Sequence, residues 1–423
     1  MYTILKKIPK ISPYIVCFTA ALFFAYELMQ LHMMNAISPM IMQAFGLNAA
    51  DLGILSSTYL LADVIFLIPA GIILDKISTR KVILSAMILC IIGTFGFALT
   101  SSFSIACICH FISGIGNAFC FLSCIMLVTK WFEPKKQAFI IGLIITIGML
   151  GGFIAQSPFS ALAEFVSWRN ALLIDGVIGV FILALVATFV YDKKQVENTS
   201  TFNSNKFFID LKKSFFNIQN IACGLYISFM NMPLMIIGAV YGSLFLTEAH
   251  GITLTQSSFV ISMICVGTII GSPLFGYFEL FISKKSLMAL GSILSILVFL
   301  LITYGPSPSS VFSLSILFIL LGFFTSSQVL GYPLITQFAQ KELTATSTSV
   351  AAVIIMGLPM FLGPLAGKIM DSLSINDIST GITTFPLESF QTAFLIFPAG
   401  FLIAFALLPT IKEKWTKTSI SMG

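Results

Sequence analysis

The sequence predicts an all-α membrane protein, with 12 transmembrane helices in two pseudo-symmetric six-helix bundles. Three observations lead there. Of the 423 residues, 57% are hydrophobic and only 9% are charged, too little charge to cover a soluble surface, so the apolar excess must face lipid. The apolar residues fall into runs near the ~20 residues that cross a hydrocarbon core of roughly 30 Å. A charged turn carrying Asp75, Lys76, Arg80 and Lys81 recurs 204 residues later as Glu279 and Lys284-Lys285. Membrane-spanning strands would alternate in polarity and be about half as long, which leaves helices.

Span 1 runs from Pro13 to Met42, and span 2, Gly53–Leu74, descends to the charged turn. That turn is short, so span 3, Val82–Leu99, is an antiparallel neighbour. Span 4 is Ser104–Thr129, span 5 Gln137–Leu162 and span 6 Asn170–Tyr191. The polar, Lys-rich stretch 192–220 reads as a linker, with an amphipathic helix at Phe207–Phe216 on the inner leaflet. Spans 7 to 12 follow as Ile221–Leu246, Phe259–Phe278, Ser286–Tyr304, Val311–Phe338, Thr346–Met370 and Thr392–Thr410. The chain thus divides into an N-terminal bundle, 1–191, and a C-terminal bundle, 221–423. An even number of spans in each half makes the repeat parallel, with a pseudo-twofold axis along the membrane normal.

The net charge is +5, and its distribution explains it. Of the 22 Lys and Arg only Arg169 and Lys368 fall on the far side of these spans, leaving 20 on the side of both termini. By the positive-inside rule both termini are cytoplasmic. No basic face on a soluble region suggests a nucleic-acid partner. The eight cysteines lie within predicted spans without metal-ligand spacing, so neither metal nor cofactor is expected. Lys6, Lys7 and Lys10 precede a run too long for a signal-peptide core. No G-x-x-x-x-G-K-[ST], H-E-x-x-H or G-x-G-D occurs, so neither an ATPase nor an intramembrane protease is expected.

Several motifs make the chain resemble the major facilitator superfamily over essentially its whole length. The signature G-x-L-a-D-R-x-G-R-K after span 2 stands here as Gly71-Ile-Ile-Leu-Asp75-Lys76-Ile-Ser78-Thr79-Arg80, with Ser and Thr at two of its positions. The span 4 signature R-x-x-q-G-x-G appears as His110-Phe-Ile-Ser113-Gly114-Ile-Gly116, and Trp168-Arg169 stands where many members have Trp-Arg. The resemblance implies a secondary transporter in which Gly71, Asp75, Lys76 and Arg80 form an inner gate reaching helix ends of the opposite half. Phe24–Asn35, Asp75–Lys81 and Lys130-Trp-Phe together resemble the phagosomal nutrient transporters of intracellular bacteria, which import amino acids or nucleosides.

Glu27 stands near the centre of span 1 with Gln30 on the same helix face. A charged carboxylate there costs about 2.5–3.5 kcal/mol, so it faces a cavity, pairs or is protonated. Proton coupling, substrate binding and a structural hydrogen bond are its three readings. Asp63 and His110 are further candidates for coupling or substrate. Asp175 is placed near the outer boundary, within reach of water or Arg169, and His32 at the membrane interface. Asn117, Gln156, Asn231, Gln328 and Tyr332 are candidate substrate-binding groups, Asn231 being the counterpart of Glu27 beside the helix-breaking Pro233.

The expected function is import of a small polar metabolite, an amino acid first, by proton-coupled alternating access in a bacterial inner membrane. Each chain is expected to form its own pathway as a monomer. A nucleoside or organic acid would suit a similar cavity. A proton-antiport exporter would favour the span 5 Gly-Pro motif and the span 4 Arg, and neither is present.

Overall fold

The computed structural model describes residues 12–192, 212–305, 310–338, 344–377 and 382–413. Twelve helices are long and apolar enough to cross a membrane. In chain order these are α1 Pro13–Ala36, α2 Ala49–Leu74, α3 Thr79–Leu99, α4 Phe103–Trp131, α5 Ile140–Val166, α6 Trp168–Phe189, α7 Ile218–His250, α8 Leu254–Phe278, α9 Lys284–Tyr304, α10 Val311–Ile335, α11 Thr348–Ser372 and α12 Leu387–Thr410. Most of the linker, and residues 207–211 of its expected amphipathic helix, lie outside the described residues. A two-stranded hairpin, Ile375–Asp377 with Ile382–Thr384, precedes α12.

Five of the predicted spans depart from regular α geometry; the last, α12, does so at Phe394-Leu395, between Leu387–Ala393 and Ile396–Leu407. The first predicted span breaks at Ile37, before Ser38-Pro39, into α1 and a short helix, Ser38–Phe45. In α5 the interruption falls at Ala155-Gln156, because Pro158 has no N–H to continue the ladder. In α7, Pro233 likewise slips the register, and Pro233–Tyr241 winds as a π-helix in which Gly242 N–H reaches back to Ile237 O. In α10, Thr325 and Ser326 hydroxyls return to preceding carbonyls, and Ser326–Leu330 tightens into a 3₁₀ turn.

The first six spans pack mainly on one another, as do the last six, and α1 against α7, α2 against α11 and α5 against α8 join the two sets. At the end that carries most of the basic residues, each set is stapled by an acid beyond its last span. Asp192 follows α6 and receives the Ser78 hydroxyl and the Arg80 amide at the start of α3. Glu413 follows α12 and receives the amides of Lys284 (2.7 Å) and Lys285 (3.3 Å) at the start of α9. Both place a carboxylate on a helix N-terminus, where unpaired N–H groups and the dipole favour it.

Arg169, at the far end, caps the last turn of α3 through Ala98 O (2.9 Å) and Thr100 O (2.6 Å), with its guanidinium over the Trp168 ring at 4.2 Å. The Trp-Arg pair therefore ties α6 to α3 and is not the partner of Asp175.

Between α2 and α11 the two ends of the molecule differ. A methyl group at Gly53 would lie 2.8 Å from Pro364 Cα, and one at Gly367 would lie 2.4 Å from Ala49 O, so the backbones touch at the far end. At Gly71 and Gly357, toward the basic end, a methyl would meet no atom within 4 Å. The two sets of helices are thus clamped at the far end.

Candidate functional site

Three of the sequence-predicted groups gather around Tyr59 of α2. Its hydroxyl donates to the Glu27 carboxylate (2.9 Å) and lies 3.1 Å from the Glu27 carbonyl. Its ring packs on His110, with centroids 5.1 Å apart, and the Phe97 ring also lies against the imidazole, at 5.8 Å. Asp63 follows Tyr59 by one turn of α2 and has the Asn117 side chain of α4 beside it. Glu27 is fully buried, His110 and Asp63 nearly so.

The span 4 glycines make this arrangement possible. A methyl at Gly114 would stand 2.3 Å from Tyr59 O, and one at Gly116 2.1 Å from Glu27 Oε1. Gly114 admits the α2 backbone and Gly116 admits the carboxyl itself. Glu27 Oε1 is left without a hydrogen-bond partner. Glu27 therefore lies within the first six-helix set, between α1, α2 and α4.

Gln30, one turn along α1, belongs to a neighbouring cluster. Its amide nitrogen donates to Asp175 Oδ2, and its oxygen accepts from Thr94 (3.0 Å). Asp175, expected near the boundary, is buried at 1% exposure, and its Oδ1 has no partner. Both ends of the Gln30 amide are thus engaged inside the bundle.

Gln156 sits in a third place, the far-end seal. Its amide donates to the π-helical Gly238 carbonyl (2.6 Å), and its oxygen accepts from Asn35 Nδ2 (2.8 Å). Asn35 in turn takes the Ser243 amide (2.7 Å) and donates to the Ser243 hydroxyl (3.0 Å). His32, expected at the membrane interface, is buried here, with Nδ1 3.4 Å from Gly238 O. The interruption in α5 frees Gln156 and the π-helix presents Gly238, so two helix irregularities meet across the halves. Asn35→Ala strands the Ser243 amide and Gln156 Oε1, at about 1–3 kcal/mol for each buried unpaired group. A clear fall in the melting temperature of the purified protein is expected, read by intrinsic fluorescence.

Asn231, Gln328 and Tyr332 form the group in the second half. Gln328 Nε2 donates to Asn231 Oδ1 at 3.4 Å, a long bond, and Tyr332 follows Gln328 by one turn and is 40% exposed. Asn231 stands just before the π-helix and Gln328 within the 3₁₀ turn. In the gate motif, Arg80 turns to α6 of its own half, donating to Ala187 O and lying 5.0 Å from the Tyr191 ring centroid. Lys76 is exposed, Gly71 faces open space, and the Asp75 side chain lies outside the described residues.

Sequence reasoning placed Glu27, Asp63 and His110 but gave Tyr59 and Asn35 no site role, since nothing local sets them apart from the other tyrosines and asparagines of the spans. Their spacing to acids and prolines was visible. Their partners, drawn from 32 to 208 residues away, were not.

The sequence matches the Major Facilitator Superfamily over residues 16–364 and 221–421. It is 24% identical to a hexuronate transporter of Bacillus subtilis over 38% of each chain, so the match spans well under half of that relative. It is 25% identical to the inner membrane protein YqcE of Escherichia coli, over 78% of this chain and 80% of that one. Its fold is similar to the crystal structure of the nucleoside transporter NupG, with a TM-score of 0.74 at 17% identity, covering 94% of this chain and 100% of that one. Two overlapping matches that together cover nearly all of the twelve-span fold establish that the chain belongs to the Major Facilitator Superfamily.

Proposed function

We propose that this secondary transporter imports a small polar metabolite, an amino acid or a nucleoside, together with protons. It does so by alternating access between halves 1–191 and 221–423, which move about the 192–220 linker. The basic end faces the cytoplasm of a bacterial cell, as the positive-inside rule requires.

The observation that carries the coupling is the Glu27 carboxyl. It is fully buried, one oxygen is held by Tyr59, and the other has no partner. Its near neighbours are hydroxyl, thiol and further carboxyl groups, so no cation compensates a permanent charge. A carboxyl in such a site works by carrying a proton and giving it up when the surroundings change. Asp63 and His110 sit on either side of Tyr59 and offer positions for that proton. The inner gate is assigned to Gly71, Asp75, Lys76 and Arg80.

Substrate contacts are assigned to Asn231, Gln328 and Tyr332. They stand where α7 and α10 leave regular geometry, and interrupted helices near mid-membrane supply free polar groups to solutes. Asn117 is assigned to shaping this site from the first half, whereas Gln30 and Gln156, also candidates by sequence, are engaged in the Asp175 cluster and the far-end seal. Every Lys or Arg within a span lies about one turn from its end, so an anion such as a hexuronate would find no cation there. A solute without net charge fits better. The likeness to phagosomal transporters supports amino acids, and the uncharged Asn231–Gln328–Tyr332 group favours nucleosides as the second choice.

The test is uptake of pooled labelled amino acids and nucleosides into proteoliposomes under an inward proton gradient. Accumulation above the outside concentration is expected, abolished by a protonophore. Asn231→Ala and Gln328→Ala should raise KM about tenfold each, the cost of one lost polar contact. Efflux of preloaded solute without accumulation would instead indicate an exporter.

A further inference from the structure

The far end of α2 begins with backbone amides that need partners, because the first turn of any helix leaves its N–H groups unpaired. Here the Asp51 amide is taken by the Asn48 side chain at 2.7 Å. The Ala49 and Ala50 amides are taken by neither neighbour nor loop. Both go to Asp371, at the end of α11 in the other half, at 2.8 Å to Oδ1 and 2.8 Å to Oδ2. A carboxylate thus sits on a helix N-terminus supplied by the opposite six-helix set, favoured by two charge-assisted bonds and by the dipole.

The surroundings make this contact depend on the halves being together. Tyr241 of α7 donates its hydroxyl to Ala49 O (2.8 Å) and lies 3.0 Å from Gly363 O of α11. The Gly53–Pro364 and Gly367–Ala49 contacts bring the two backbones together on the same side. Opening the far end by moving α2 away from α11 must break both Asp371 bonds at once and return the two amides and the carboxylate to water.

We infer that Asp371 is the latch of the far-end gate, holding α2 against α11 in this conformation and releasing when the transporter opens to that side. It touches no substrate and acts by setting the balance between the two open states. A ligand-free device of this kind biases an equilibrium by its differential contact with the two states.

Hydrogen–deuterium exchange on the full-length protein in nanodiscs tests this, without substrate or proton gradient. Asp371→Asn removes the charge. Ala49→Pro removes one donor at the first helical position, where proline is well accommodated. For either variant, residues 49–53 and 366–372 should exchange about tenfold faster, a coupling of ordinary size. Residues 68–74 and 349–356 at the basic end should exchange more slowly, as that end closes. The double variant should match the single ones within about twofold. Far-end exchange unchanged in Asp371→Asn overturns the inference, and so does faster exchange at both ends, which would mark Asp371 as a structural staple. Neither result bears on the coupling role of Glu27, which transport under a gradient reads separately.

Discussion

Glu27→Gln is expected to abolish gradient-driven accumulation while leaving exchange of solute across the membrane intact. Glutamine keeps the volume of the side chain and an oxygen for the Tyr59 hydroxyl, now 2.9 Å from the carboxylate. It also fits the space left by Gly116, where a methyl would stand 2.1 Å from Glu27 Oε1. What it loses is the ability to release a proton. Coupling to one proton supports about tenfold accumulation per pH unit and roughly fiftyfold more per 100 mV. Both factors should collapse to equal concentrations on the two sides in the variant. Counterflow with preloaded vesicles measures exchange in the same preparation. Accumulation that survives the substitution would make the carboxyl structural and move the coupling role to Asp63 or His110.

The second large effect concerns folding. Gly322→Val should cost the protein its packed second half, because α8 and α10 meet backbone to backbone. A methyl at Gly322 would lie 2.1 Å from Ile264 O, and one at Gly267 would lie 2.1 Å from Ile319 O. Neither carbonyl can rotate away as a side chain would, so the helices must separate along the seam. Overpacking a core costs about 1–3 kcal/mol where side chains can adjust, and here the backbone itself must move. Loss of monodisperse protein on size-exclusion chromatography, or a melting temperature lowered by several degrees, is the expected result. Gly276→Val, on α8 like Gly267 but facing open space, should behave as wild type.

The glycine spacing Gly267-x-x-x-Gly271 is visible in the sequence, and in the structure it lets α8 approach the α10 backbone. The sequence does not show that partner. Gly271 meets Phe323 and Ser326 of α10, and nothing in the spacing distinguishes that neighbour from any other span. The same is true of Gly114 and Gly116, recognisable as a motif, whose task of admitting Tyr59 and Glu27 emerges only when α4 is laid against α1 and α2. Asp175 shows the opposite case. Its distance from the span end suggested contact with water or Arg169, yet Arg169 turns to the α3 carbonyls and Asp175 to Gln30. Depth along a helix is readable from sequence, but the direction a polar group faces depends on which helix lies beside it.

The sequence by itself determined the membrane class, the number of spans and the break at Pro233, whereas the breaks at Ile37, Ala155-Gln156 and Ser326 appeared only in the structure. The first three follow from local quantities: apolar run length against bilayer thickness, and proline's missing donor. Only the tertiary structure decided which polar groups meet. It brought Tyr59 to Glu27, Asn35 to Ser243 and Asp371 to the start of α2, across separations of 32, 208 and 322 residues. The physical reason is that a buried hydrogen-bonding group must find a partner somewhere in a medium without water. Its identity names the need, and the packing of twelve helices chooses who meets it.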